Sequence, residues 1–447
     1  MTLRVRMYRQ GLGDCFLLTC TNGDDESHLL IDCGVLKGTP DAKRRMQEVA
    51  QSLSDTTGGR LDRLVVTHEH WDHLSGFLQA QAIFDAVEVR EVWLAWTEDP
   101  DDDLANELRQ RKQKRLDGLV AAAKLAQGKT AERLGALLGF EGDLGVAGSQ
   151  TTGKALDWVK ARDADVKFLQ PGDQLFDLPG LDGIRVYVLG PPHDRRLIKR
   201  SDPSRAHPEV YELASGDGSH QGFLAAVEAL AADEEADAPF DPFFRITTAK
   251  APEQNGLWRQ YYAPHDEWRR IDHDWLGYAG PLALQLDSDT NNTSLVLAFE
   301  LSPCGDVLLF PGDAQVGNWL SWESLEWDVD GRTVKSDELL GRTVLYKVGH
   351  HGSHNATLRE KGLELMASGE LAAMIPVNRE TAKRMDWLMP FPALLKRLEE
   401  ATKGRLLDAE LGVANDCPVG SSAAAWRQFT AKTDVQPLWI DYTLEPT

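Results

Sequence analysis

Residues 67–76 read THEHWDHLSG and place His68, His70, Asp72 and His73 within six positions. They follow directly on an apolar run, residues 61–66 (LDRLVV). A buried strand that ends in a burst of metal-ligand residue types delivers those side chains on a rigid element. In the loop leaving such a strand, His68 and His70 can face one ion. Asp72 and His73, a turn further on at the start of a helix, can face a second. A polar loop with surface histidines has no need of three His and one Asp packed this closely.

Two later segments have the same character. Residues 306–313 (DVLLFPGD) are a strand ending in Gly-Asp, and residues 343–353 (TVLYKVGHHGS) are a strand ending in Gly-His-His-Gly-Ser. His193, just past the strand at 184–189, is a further candidate. Ligands from several strand ends are what a two-metal hydrolase needs, because the scaffold must hold the ions a few ångströms apart and leave room for water.

Around these motifs the pattern alternates between strand and helix. Residues 3–8, 15–20 and 28–33 read as short strands, 41–53 as a helix, 72–80 as a helix and 87–96 as a strand. Strands are expected again at 294–301, 307–310, 345–348, 374–377 and 438–444, with a helix from about 315. This is an α/β protein, and we expect one domain over 1–447. Two stretches read as insertions: 100–160, helical, and 194–290, a partly helical lid or partner surface that includes His265, Asp266, His273 and Asp274.

The formal net charge is −22, which argues against a dominant nonspecific grip on nucleic acid. It leaves room for a locally basic cleft, and 109–115 and 195–205 are basic runs. Five cysteines (Cys15, Cys20, Cys33, Cys304 and Cys417) form no C-x-x-C pair. No disulfide framework is expected, and a reducing cytoplasm fits. There is no signal-peptide pattern and no apolar run of about 18 residues, so no membrane span is expected.

The chain resembles the metallo-β-lactamase superfamily, whose HxHxDH signature HEHWDH matches in full. It is more similar to one branch, the β-lactamase-like domain of the ComEC/Rec2 competence proteins and their stand-alone relatives. The motifs that carry this are Gly11-Leu-Gly13-Asp14, Asp32-Cys-Gly34, Leu189-Gly-Pro-Pro192, Asn291-Asn-Thr-Ser294, Gly312-Asp313 and His350-His-Gly-Ser353. The resemblance implies an αββα sandwich: two mixed β-sheets face to face, helices outside. It implies that His68 and His70 hold a first metal, Asp72 and His73 a second, and that Asp313 bridges them. One of His350 and His351 then completes the second site, while the other contacts substrate or protonates a leaving group. His193 is the candidate third ligand of the first metal. Asp14, Asp32, Asn291 and Ser294 are expected behind the ligands. The competence proteins carry membrane segments and often an Asn followed by His-Pro. Here Asn378 is followed by Met389-Pro-Phe-Pro392 instead.

The expected activity is hydrolysis of phosphodiester bonds, with Asp72, Asp313, His350 and His351 central and a hydroxide shared by two divalent ions, Zn or Mn, or Fe. The expected substrate is nucleic acid or a small phosphodiester. The same chemistry could open a lactam, lactone or thioester, and a metal-binding interaction module without turnover is a third reading.

Overall fold

The computed structural model describes residues 1–125, 134–135, 137–142, 150–176, 178–201, 210, 256, 260, 263, 279–302, 305–385 and 387–445. These fall into two compact units. Met1–Arg109, Gly139–Ser215 and Asp287–Thr447 make up the first, and Gln110–Leu138 and Gly216–Leu286 the second. Of the second unit, the described residues are mainly the helical stretches 110–125 and 279–286. Every candidate ligand residue belongs to the first unit.

Two mixed sheets form the centre of that first unit. One has β1 (Thr2–Tyr8), β2 (Phe16–Asn22), β3 (Asp25–Ile31), β4 (Arg60–Val65), β5 (Glu88–Ala95), β6 (Asp165–Leu169), β16 (Thr433–Val435) and β17 (Trp439–Leu444), in the order β16-β17-β1-β2-β3-β4-β5-β6. The second has β7 (Gln174–Leu175), β8 (Arg185–Gly190), β9 (Val296–Glu300), β10 (Val307–Phe310), β13 (Thr343–Lys347), β14 (Ala372–Ile375) and β15 (Leu406–Asp408), in the order β15-β14-β13-β10-β9-β8-β7. In each sheet one half is antiparallel and the other parallel. β3, β4, β5 and β6 pair in parallel in the first. β10, β13, β14 and β15 do so in the second. A short hairpin, β11 (Glu326–Val329) with β12 (Arg332–Lys335), stands apart.

Alternation along the strands explains the layers. In β2, Phe16 and Leu18 enter the core between the sheets, while Leu17 faces the outer core. β8 divides its side chains likewise: Val186 and Val188 go inward, Tyr187 and Leu189 outward. With side-chain period two, each strand presents apolar residues to both faces, so both faces must be covered. Helices α1 (Ala42–Thr57) and α2 (Trp71–Gln79) cover the first sheet through Met46, Val49, Leu53, Leu74 and Phe77. Trp319, Trp322, Leu394 and Leu398 cover the second. The result is the expected sandwich of two mixed sheets with helices outside. Within 100–160, helices are found at Asp103–Leu125 and Thr152–Lys160. His265, Asp266, His273 and Asp274, read from the sequence as surface or lid residues and not as ligands, lie outside the described residues. No helix among the described residues is long and apolar enough to cross a membrane.

Candidate metal centre

Strand ends from both sheets meet at one place. β4 runs into Thr67 and His68, and α2 begins at Trp71 with His70 in extended conformation before it. β10 ends before Gly312-Asp313, and β13 ends at Lys347, three residues before His350. His68, His70, Asp72, His73, Asp313, His350 and His351 are all buried, none more than 5% exposed.

The GLGD and DCG turns are explained by what they pack against. Asp14 donates its N–H to the Asp72 carbonyl (3.0 Å), and Gly34 donates to the Asp14 carbonyl (3.0 Å). A Cβ on Gly34 would stand 2.3 Å from the Asp72 carbonyl carbon, and one on Gly13 2.6 Å from the Asp72 oxygen. Only glycine lets these two turns lie directly on the first turn of α2. They thereby fix the backbone that aims Asp72 and His73.

Hydrogen bonds decide which imidazole nitrogens face outward to acceptors. His73 Nδ1 lies 2.8 Å from Asp32 Oδ2. A carboxylate only accepts, so Nδ1 carries a proton and Nε2 is the atom left to face the cluster. His351 Nδ1 lies 2.7 Å from the Pro376 carbonyl, and its Nε2 faces Asp72 Oδ2, which a proton or a cation on Nε2 must join to it. Thr67 gives its single hydroxyl proton to Asp32 Oδ2 (2.6 Å), so it can only accept from His68 Nδ1 at 3.1 Å. His68 Nε2 is therefore without a proton, and it lies 3.0 Å from His70 Nδ1. That contact needs a proton on His70 Nδ1 or a cation shared by the two nitrogens. On its far side, His70 Nε2 lies 3.8 Å from Asp287 Oδ1 and 4.0 Å from Glu141 Oε1.

The inward-facing atoms converge. His351 Nε2 is 3.0 Å from Asp72 Oδ2 and 3.9 Å from Asp313 Oδ2. His73 Nε2 is 3.2 Å from Asp313 Oδ2 and 4.0 Å from Asp72 Oδ2, and no hydrogen bond satisfies it. Ligand atoms each about 2.1 Å from one ion stand roughly 3.0 to 3.5 Å apart; the 3.0 and 3.2 Å separations meet that range and the 3.9 and 4.0 Å ones exceed it by about half an ångström. Asp14, His73, Asp313 and His351 also bring ligand-type atoms within 4.8 Å of one another. Asp14, however, faces the proton-bearing Nδ1 atoms of His73 and His351, at 3.9 and 3.7 Å. Asp72 is thus better placed than Asp14 to join the Nε2 atoms around a cation.

Electrostatics follow from this crowding. Burial alone would lower the His73 imidazole, but Asp313, Asp32, Asp14 and Asp72 together hold it well above the ordinary histidine value. Burial would raise Asp313, yet His73 and Lys347 keep it well below the carboxylate range. His68 is pushed well below its ordinary value by burial and then by His73 and His70. His350 is lowered by burial to about 4, against the opposing pull of Asp313, and is neutral at pH 7.

Backbone strain marks the same place. Asp32 (φ 55°), His350 (φ 44°) and His351 (φ 54°) are non-glycine residues in the left-handed region, where ordinary side chains are held only by surrounding structure. The two successive left-handed residues turn both imidazoles of the GHHG segment into the cluster.

Other expected residues fall as follows. Asp32 accepts from Thr67 N (2.8 Å), from the Thr67 hydroxyl and from His73, behind the ligand-type atoms. Ser294 Oγ accepts from Asp313 N at 3.0 Å. Asn291 donates to Asp287 Oδ2 at 3.2 Å. His193 is not brought to the cluster. It is 42% exposed, its Nε2 is hydrogen-bonded to Asp102 Oδ2 at 2.8 Å, and its ring lies against Trp96. The Gly190–Pro191 bond is cis, and the GPPH turn directs His193 to Asp102, just ahead of the helix at Asp103–Leu125. In the basic runs, Arg109 donates to the carbonyls of Thr97 and Asp99, and Arg195 pairs with Glu107.

Three residues escaped the sequence reading. Thr67 sorts the protons of two histidines. Gln315 is 1% exposed and reaches His350 Nδ1 through a long 3.5 Å contact. Lys347 is 2% exposed among carboxylates. The one signal available for it was a lysine closing the otherwise apolar strand TVLYK.

Comparison with curated proteins finds no match. A family profile does match: that of the metallo-beta-lactamase superfamily, over residues 8–235, about half of the chain and including the HEHWDH segment. The chain belongs to the metallo-beta-lactamase superfamily.

Proposed function

We propose that this chain is a dinuclear metal-dependent hydrolase acting on phosphodiester bonds. The observation that carries the reading is the convergence of imidazole nitrogens and carboxylate oxygens on one buried place, with the Nδ1 atoms of His68, His73 and His351 each turned outward to an acceptor. His73, His351, Asp72 and Asp313 would hold one ion. His68 and His70, 3.0 Å apart through Nε2 and Nδ1, would hold the other, with Asp313 between them. Zn²⁺, Mn²⁺ and Fe²⁺ all suit a mixed nitrogen and oxygen donor set. Divalent ions bound there supply Lewis acidity, which lowers the pKa of water and neutralises charge that builds on a reacting phosphoryl group.

The chain's own residues prepare that chemistry. Asp32 and the Pro376 carbonyl hold the His73 and His351 rings in one tautomer and one orientation. Gln315 faces His350 Nδ1, which places the His350 proton on Nε2, 4.0 Å from Asp313 Oδ2. A neutral His350 donating from Nε2 would stabilise a negative oxygen rather than deliver a full proton. Lys347 favours the ionised form of both Asp14 and Asp313, against burial and, at Asp14, against the neighbouring Asp313 charge.

A family shared by lactam, ester and phosphodiester chemistry does not by itself choose a substrate. Support for phosphodiesters comes from the likeness of GLGD, DCG and HHGS to the competence-protein branch; two ions, once bound, would serve an in-line displacement by stabilising both entering and leaving oxygens. The test is turnover by the Mn²⁺- or Zn²⁺-reconstituted chain. Bis-p-nitrophenyl phosphate and short single-stranded DNA and RNA are set against nitrocefin and a thioester. Cleavage of the phosphodiesters is the expected result. Cleavage of the carbonyl compounds alone would replace this reading with the other hydrolase. Bound metal with no turnover on any of them would point to an interaction module.

A further inference from the structure

Lys347 ends β13 with its ammonium 2% exposed, a costly location unless every donor is used. All three are used. Nζ forms an ion pair with Asp14, lies 3.2 Å from Asp313 Oδ1, and donates to the Gly312 carbonyl at 2.7 Å. Asp313 Oδ1 also accepts from the His350 backbone N–H at 3.0 Å. Both accepting positions of Oδ1 are therefore filled. Asp313 Oδ2 faces the other way, 3.2 Å from His73 Nε2, 3.9 Å from His351 Nε2 and 4.0 Å from His350 Nε2. The two oxygens of one carboxylate have separate tasks.

We propose that Lys347, backed by Asp14, is a positioning residue that presents Asp313 to a divalent cation through Oδ2 alone. It sets the geometry of the centre without touching the ion. Asp14 acts one layer further out, as the counter-charge that fixes the ammonium and as a neighbour of the proton-bearing sides of His73 and His351. This rests on the metal-centre part of the proposed function and not on the choice of substrate. A merely structural role, in which Lys347 only neutralises Asp14, leads to a different expectation. Removing both charges together would then leave the centre as it was.

The test is Co²⁺ titration of the purified full chain, read by visible absorption, in the wild type and in the double variant Lys347→Met/Asp14→Asn. The double variant keeps the buried cluster in charge balance, and replacing a buried ion pair by neutral side chains of similar volume is compatible with folding. The expected result is a folded protein that binds Co²⁺ roughly 10- to 100-fold more weakly, with altered d–d bands as Asp313 becomes free to rotate. Wild-type affinity together with a wild-type spectrum would overturn the proposal. Should the variant fail to fold, the crystal structure of the Mn²⁺-loaded wild type decides. Asp313 bound through Oδ2, with Lys347 on Oδ1, supports the assignment; chelation through both oxygens overturns it. A wild-type chain that takes up no Co²⁺ is a separate failure, that of the metal reading itself.

Discussion

At the scale of single residues, the site works by proton placement. Asp32 has no exposed surface and accepts three hydrogen bonds, one of which fixes the His73 tautomer. Asn tolerates the left-handed backbone that Asp32 adopts. Asp32→Asn is therefore expected to fold and to lose roughly 10- to 100-fold in metal affinity, measured by competition with a chromophoric chelator. Asp313→Ala is expected to cost more, about 100-fold or beyond, because it would remove a ligand rather than a ligand's partner. Unchanged affinity in either variant would contradict the role of the residue replaced. Much at this scale was legible in HEHWDH, Gly312-Asp313 and HHGS, since ligand chemistry limits residue type. Lys347 and Gln315 were not legible, because one polar residue among apolar neighbours does not reveal what it will face across the fold. His193 was misleading for the same reason: its partner, Asp102, lies 91 positions away.

At the scale of elements, the centre depends on how closely two turns approach the start of α2. Gly34→Ala would drive a Cβ to 2.3 Å from the Asp72 carbonyl carbon, and backbone cannot yield as a flexible side chain can. We expect a loss of more than about 3 kcal/mol of stability, measured by urea denaturation, and with it the loss of metal binding. Gly23, which unlike Gly34 has positive φ, meets nothing within 4 Å. Gly23→Ala is expected to cost only about 1 kcal/mol, so a larger loss at Gly34 reports steric contact with α2. Strands of five or more residues were readable in the sequence except β6, whose five residues expose most of their side chains in part and give a weak apolar signal. The two-residue β7 and the three-residue β15 and β16 were not, because segments so short exist only by pairing with neighbours brought by distant parts of the chain. The parallel joins of β3 to β4 and β10 to β13 likewise depend on crossovers that no local pattern records.

At the scale of the whole molecule, stability carries a pH signature separable from the metal centre. His28 on β3 is buried beside Thr19. Burial lowers its pKa from the ordinary histidine value, with Glu26 and Asp62 opposing. The unfolded chain takes up this proton near pH 6.5, and the folded chain only at lower pH. The contribution of neutral His28 is therefore fully present above about pH 6.5 and is lost as the pH falls towards the folded value. His28→Gln is expected to flatten the acid limb of a stability–pH curve, by at most about 1.4 kcal/mol per pH unit. An identical slope in wild type and variant would contradict this. The sandwich itself was readable as a class, because buried strands alternating with amphipathic helices admit few layer arrangements. What brings strand ends and turns from both sheets into one buried cluster is the packing of those sheets, and from that packing comes the claim that this chain holds a dinuclear centre. Elemental analysis of the chain after reconstitution with Mn²⁺ or Zn²⁺ and removal of free ion tests that claim most directly. About two equivalents of metal per chain are expected, whereas less than about half an equivalent of any divalent ion would contradict it.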